Sequence, residues 1–406
     1  MKKIFSLMLA LLCLLMTCSC SGTVADIYSE ISTAIEKIMP TTQEVVEVKY
    51  EYYEISDPQF NSCYNQLNKS QKDIYRRIYA ISEEMSEGFV SLGSYYDGAL
   101  NDVTVAYNAF LNDNAEIFWM PNTYILATSG YGSDAKTVIA FEYSDSENRN
   151  SYTVADISER NRLKAELDNK VDYILSQTDD LSNEYEKEKF LNDYLCNNVT
   201  YSETGEFVGT AYGALVLNSA LCEGYSRAFK LLCNRAGIEC DLVTGKSEGE
   251  GHMWNRVNID RKLSYVDVTW NDRAEYRTYT YFNITEEQLK FDHSFFPLLN
   301  ELSQEEISGG CSFNFTYKEC TYTGNTYYEK TGRVLWLDSF GTAAEKIKET
   351  YKSGGSYTEF MFETEDARLL FERDSNGFVA KIQSSLDNIY ISGYAQERDT
   401  LILFFE

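Results

Sequence analysis

Apolar residues recur along this chain with two spacings, and each spacing predicts a kind of element. After the N-cap group Ser70-Gln71-Lys72-Asp73 come Ile74, Ile78, Ile81 and Met85, one face of an amphipathic helix. The same period puts Val103, Tyr107, Phe110 and Leu111 on one side of a helix over Asn101–Leu111. It recurs in the charged stretch Ser158–Leu175, with Leu163, Leu167, Val171 and Ile174 inward. Another helix is expected from Ser182 to Asn198, with Tyr185, Phe190, Tyr194 and Leu195 on its apolar side. Period-two alternation marks Tyr124–Thr128 and Thr137–Tyr143 around Gly130 and Gly132, a predicted hairpin.

Toward the C-terminus strand-like and helix-like runs alternate. Val334-Leu335-Trp336-Leu337 precedes a helical pattern over Ala343–Tyr351, and Glu359-Phe360-Met361-Phe362 precedes another over Ala367–Phe371. Leu401–Phe405 is a β-like apolar run. This alternation predicts a small α/β-type domain. The overall class expected is α+β. The expected division is a signal segment at 1–20, an N-terminal α+β domain with a tether at 21–180, a chemistry-bearing domain at 181–300 and an accessory domain at 301–406.

The first residues pattern differently. Lys2 and Lys3 precede an apolar run from Ile4 to Met16, short for a mature membrane span and suited to a signal peptide. The run ends in Leu15-Met16-Thr17-Cys18-Ser19-Cys20-Ser21-Gly22, which resembles a bacterial lipoprotein cleavage site. Cys18 has Leu three places before it and Thr just before it; Cys20 has Ser just before it. Either is the expected lipidation site. The expected location is therefore extracytoplasmic, anchored to the bacterial cell membrane by an N-terminal lipid, which is also the only membrane contact expected.

Composition narrows the picture further. The chain has 406 residues, 44% of them hydrophobic, enough for real cores. A net charge of −27 excludes nucleic acid as a partner. No two of the ten cysteines have C-x-x-C spacing, so a zinc or redox motif is not indicated. Two disulfides are conceivable from position alone: Cys311 with Cys320, and Cys233 with Cys240.

Only two histidines, His252 and His293, are available as bases near neutral pH. Cys222 lies in Ser219-Ala220-Leu221-Cys222-Glu223-Gly224-Tyr225, followed by Ala228, Leu231, Leu232 and Ala236 at helical spacing until Gly237. It is expected in the first turn of a helix, where the helix dipole favours a thiolate. His252–Ile259 and Leu263–Trp270 both alternate as strands, with Asp260-Arg261 as a two-residue turn. That register sets Thr269 opposite His252 and Asp267 diagonal to it on the same face. A thiol, an imidazole and an orienting carboxylate are the parts of thiol acyl transfer.

Three ordered segments resemble the transglutaminase-like superfamily. They are Tyr212-Gly213-Ala214-Leu215 with Ala220–Lys230, then Gly251-His252-Met253-Trp254-Asn255, then Tyr265-Val266-Asp267-Val268-Thr269-Trp270-Asn271-Asp272. Asn192-Asp193-Tyr194-Leu195, Asn198-Val199-Thr200-Tyr201 and Tyr281-Phe282-Asn283-Ile284 look like its bacterial branch; together the likeness covers about residues 182–296. Met253 stands where a small residue is common, and Arg261 where Gly is. The resemblance implies a papain-like α+β core, the Cys on a helix packed against an antiparallel sheet, with Cys222, His252 and Asp267 as the triad. One oxyanion donor would be the Cys222 backbone N–H; Tyr212 and Asn218 both stand open as the second. Trp254 and Trp270 flank the triad positions, as cleft walls or as core. His293 echoes an element of relatives and reads as structural, with a role in substrate binding as the alternative.

The expected function is acyl transfer on peptide or glutamine carboxamide carbonyls through a Cys222 thioester. Resolution by water (hydrolysis or deamidation) is favoured over amine crosslinking. The expected partner is a protein or peptide substrate, a cell-wall associated one among the candidates. No loop points to calcium, and no cofactor or metal is expected. The competing class is a non-catalytic surface lipoprotein using the same core as a scaffold. A Cys/His/Asp metal site is a third reading.

Overall fold

The computed structural model describes residues 45–49, 60–145, 152–273, 276–324 and 326–406. The expected signal segment with Cys18 and Cys20, and nearly all of the tether, lie outside the described residues. The described residues fall into two units: those up to Asn258 together with Asp292–Lys318, and Ile259–Phe291 together with Glu319–Glu406. Among the described residues, no helix is long and apolar enough to cross a membrane.

In the first unit, the helix Lys69–Glu84 begins one cap earlier than its sequence suggests. Asn68, not Ser70, accepts from the Gln71 backbone, and the Gln71 side chain accepts from the Asn68 backbone. This start turns Tyr75, Ile78 and Ile81 into the core, against the well-buried helix Ala99–Asp113. Strands β1 (Val90–Ser94), β2 (Ile125–Ser129) and β3 (Lys136–Ala140) form an antiparallel sheet in the order β1-β3-β2. The predicted hairpin is its β2-β3 pair, with Leu126 opposite Ile139. Gly130 there has φ +86°, and a Cβ would lie 2.9 Å from the Asp134 carbonyl oxygen.

After the two-residue strands β4 (Ser144–Asp145) and β5 (Tyr152–Thr153), the helix Ile157–Ser176 buries Leu163, Leu167, Val171 and Ile174 as its period predicts. The helix Glu184–Asn198 is capped by Asn183 rather than Ser182. Its buried face is Glu188, Leu191, Asn192, Leu195 and Cys196, while Tyr185, Phe190 and Tyr194 are only half-buried. The expected stripe is rotated because this helix packs against the Cys222–Arg235 helix.

The chain then passes through β6 (Thr200–Tyr201), β7 (Ser219–Ala220), β8 (Glu239–Ser247), β9 (Glu250–Ile259), β10 (Lys262–Val266), β11 (Phe282–Ile284) and β12 (His293–Phe295). Within the first unit, β8 pairs antiparallel with β9 on one side and β12 on the other. The Cys222–Arg235 helix packs on β8.

In the second unit, Asp260 and Arg261 have φ of 52° and 64°, the type I′ geometry of a tight hairpin turn. β10 pairs antiparallel with β11. Strands β13 (Val334–Leu335), β14 (Tyr357–Phe362), β15 (Ile391–Glu397) and β16 (Thr400–Phe405) form a sheet in the order β13-β14-β16-β15. β13 and β14 are parallel, with the helix Phe340–Lys352 between them in the chain. Ile347, Phe360, Phe371, Phe378, Leu401 and Leu403 share one core. This is the small α/β-type arrangement expected from the alternation.

Neither expected disulfide forms. Cys233, Cys240, Cys311 and Cys320 are free thiols, as are Cys63, Cys196 and Cys222. Cys233 and Cys240 are both buried, and burial, with Cys240 beside it, pushes the Cys233 thiol up. Cys311 is exposed, whereas Cys320 is buried with its carbonyl accepting from Glu286 N.

Candidate active site

The nucleophile candidate owes its position to tight backbone packing. Leu221 is extended at the N-cap, and Cys222 is the first helical residue. The approach is pinned twice: β7 pairs in parallel with β6, and Leu221 N donates to the Val208 carbonyl at 3.0 Å. Cys222 is 4% exposed and clusters with Val208 and Leu221. Two glycines permit this closeness. A Cβ at Gly224 would meet the Val208 carbonyl oxygen at 2.3 Å, and one at Gly213 would meet the Phe207 carbonyl oxygen at 2.1 Å. The glycine two residues after the cysteine is therefore a steric requirement of the fold.

Glu223, beside the thiol, is buried with its charge answered. Arg227 reaches Glu223 Oε1 with Nε at 3.0 Å and Nη2 at 2.9 Å, and Asn122 Nδ2 lies 3.4 Å away. Arg227 Nη1 also donates to the Leu111 carbonyl at 2.6 Å. Burial pushes the Glu223 carboxyl up from its ordinary value, and Arg227 opposes that push. A carboxylate in the first helical turn also meets the positive end of the helix dipole.

One turn further along, the helix is tied to the strand that carries the imidazole. Ser226 Oγ donates to the Met253 carbonyl at 2.9 Å, and Asn255 Nδ2 donates to the Ser226 carbonyl at 3.0 Å. Met253 follows His252 on β9. His252 is 9% exposed and pairs across the ladder with Gly245. A side chain at Gly245 would strike the Ser294 carbonyl oxygen at 2.0 Å and the Trp254 ring at 2.6 Å. Trp254 is fully buried, with ring centroids 6.0 Å from His252, 5.2 Å from His293 and 5.2 Å from Phe295. It packs the site from beneath. His293 on β12 lies 5.4 Å from His252, ring to ring. The sequence reads His293 as structural; the signal that marks it is that the chain has only two histidines.

Asp267 is held within the second unit, and here the strand expected over Leu263–Trp270 is corrected. β10 ends at Val266, and Val268–Asn271 is a helical turn. Asp267 caps that turn, its Oδ1 accepting from Trp270 N at 3.1 Å, while its own N–H donates to the Tyr281 carbonyl at 2.9 Å. Thr269 is therefore not a strand residue opposite His252: the capping aspartate coils the backbone away one residue earlier. Asp267 is 1% exposed. Trp270 packs edge-on to Tyr281 at 5.1 Å, with the Arg273 guanidinium 4.9 Å above its ring.

The two oxyanion candidates occupy different settings. The Tyr212 hydroxyl donates to Glu166 Oε2 at 2.7 Å, and its ring sits 4.8 Å from Phe118 and 5.1 Å from Phe207. Burial, and then the Glu166 bond, push its phenol up. Its hydroxyl proton is directed at Glu166. Asn218 has φ +56°, and its carbonyl accepts from Thr200 N at 2.9 Å, so it turns the chain into β7.

A fold of this kind, with a thiol at a helix start and an imidazole on the neighbouring sheet, defines a class. Residues 172–270 match the family model of the transglutaminase-like superfamily, a span that includes Cys222, His252 and Asp267. The chain thus carries a transglutaminase-like domain. It is similar to kyphoscoliosis peptidase of Homo sapiens, 34% identical over 61 residues that are 12% of this chain and 9% of that protein. The Mus musculus protein of that name matches with the same identity and shares. The chain thus spans less than a tenth of the length of these curated relatives. A solved structure described as a TGase is 18% identical, covering 38% of this chain and 47% of that one, with a TM-score of 0.25.

Proposed function

We propose that this chain is a thiol acyl-transfer enzyme with Cys222 as nucleophile, His252 as base and Asp267 as the acid that orients His252. The observation that carries the reading is the Ser226 bond to Met253, which ties the helix that begins at Cys222 to the strand beside His252. In the proposed reaction the Cys222 thiolate bonds the carbonyl carbon of a glutamine carboxamide or a peptide. The C–N bond breaks, and His252 gives its proton to the departing ammonia or amine. Water or a primary amine then takes the acyl group from the thioester and returns the thiol. The substrate class is protein or peptide. The chain acts outside the cytoplasm, held to the membrane by a lipid on Cys18 or Cys20.

The test is incubation of the full chain with glutamine-containing peptides, with and without a primary amine, read by mass spectrometry. Deamidation, cleavage or amine incorporation that is lost in Cys222→Ala supports the reading. Iodoacetamide at mildly acidic pH gives a second readout: fast alkylation of Cys222 that is lost in His252→Ala supports catalysis. Unaltered peptides, together with Cys222 labelling no faster than the exposed Cys311, favour the non-catalytic surface lipoprotein. Fatty-acid labelling lost in Cys18→Ala or Cys20→Ala tests the anchor.

A further inference from the structure

The two histidines of this chain stand 41 positions apart in sequence yet side by side in the sheet. β12 brings His293 opposite Ser247 on β8, and β9 brings His252 opposite Gly245, two residues along the same strand. Alternation along β8 puts both imidazoles on one face. The missing side chain at Gly245 lets the Trp254 ring lie between the strands and touch both rings. A ring nitrogen of each comes within 4.8 Å of the other.

His293 is itself anchored. Its side chain is fully buried, and its Nδ1 lies 2.5 Å from Asp292 Oδ1. A carboxylate only accepts hydrogen bonds, so the proton of this bond sits on Nδ1 and the tautomer of the neutral ring is set. A ring so held is a rigid wall for the imidazole beside it.

We propose that His293, anchored by Asp292, is a positioning residue for His252: it fixes the orientation of the proposed catalytic imidazole without touching substrate. This rests on the acyl-transfer reading. Asp292 acts one step further out, through His293. Its role differs from that of Asp267, which the triad assigns to His252 directly.

Having only two histidines makes the test clean. In the full chain, the ring nitrogen spectrum by proton–nitrogen NMR contains two imidazole systems. Asp292→Asn removes the carboxylate that anchors His293 Nδ1, and the inference expects the His252 resonances to move as well. It also expects Cys222 alkylation by iodoacetamide to slow by about tenfold, as a misplaced base should cause. Asp292→Glu should restore both readouts. His293→Asn should slow alkylation to the same degree if Asp292→Asn fails to fold.

Unmoved His252 resonances and an unchanged alkylation rate in folded Asp292→Asn and His293→Asn would overturn the inference while leaving the acyl-transfer reading standing. Slow alkylation with no rescue by Asp292→Glu would also overturn it, assigning the pair a purely structural role. If His252→Ala itself leaves Cys222 alkylation fast, the reading beneath the inference fails and takes the inference with it.

Discussion

Two buried glutamates, one in each unit, solve the same problem in different ways. Glu223 sits next to Cys222 and is met by the Arg227 guanidinium. Glu359, on β14, accepts from Tyr279 N, the Thr278 hydroxyl and the Tyr328 hydroxyl, all neutral donors. Burial pushes both carboxyls up. At Glu359 the carboxyl reaches about 7 despite its three hydrogen bonds. The difference teaches where charge is kept in this molecule. An ion pair braces the turn that presents the thiol, while the carboxyl on β14 is held by neutral donors.

The largest expected effect falls on the thiol's surroundings. Gly224→Ala sets a Cβ against the Val208 carbonyl, which is backbone and cannot yield as a side chain would. We expect a loss of about 3 kcal/mol or more in chemical denaturation, or failure to fold. Gly237→Ala makes the control, since nothing lies within 4 Å of its Cβ position and only its φ of +86° is strained.

Next is Glu223→Ala, which leaves Arg227 buried without its carboxylate. Removing one member of such a pair costs about 3–5 kcal/mol, and urea denaturation should show a loss of that order. If the loss is a few tenths, the ion pair is not what holds the turn, and the contrast drawn above collapses.

Glu359 supplies the opposite sign. Its folded value of about 7 lies above its ordinary 4.5, so between these the folded chain keeps a proton that the unfolded chain has released. Its stabilising share is whole below about pH 4.5 and is lost as pH rises through about 7. The loss is on the order of 3 kcal/mol. Glu359→Gln should flatten that slope and be more stable than the parent at pH 8, by thermal melts at several pH values. A variant that keeps the full slope would place the titration elsewhere.

The smallest effect is a cap. Asn183→Ala removes the bond to Glu186 N at the start of the Glu184–Asn198 helix. About 1 kcal/mol should be lost, with no change in Cys222 alkylation.

Much of this architecture is legible in the sequence. The Ile157–Ser176 helix and the β2-β3 hairpin follow from apolar period, because a single face of each meets the core. The Glu184–Asn198 stripe is not legible from the aromatic residues, because the packed face also buries Glu188 and Asn192. The end of β10 at Val266 is likewise not legible from the apolar pattern. Val268 and Trp270 look strand-like, but the Asp267 side chain satisfies the Trp270 backbone more locally than a ladder would.

The amino-acid sequence by itself determined the helix start at Cys222, the tight turn at Asp260-Arg261 and the order of thiol, imidazole and carboxylate, since caps, turns and spacing are short-range properties. Only the tertiary structure decided that Gly224 must lack a side chain, that the Tyr212 hydroxyl goes to Glu166, and that His293 lies against His252. Those facts belong to segments far apart in the chain, and local periodicity carries no record of which distant backbone or ring will come to rest beside a residue.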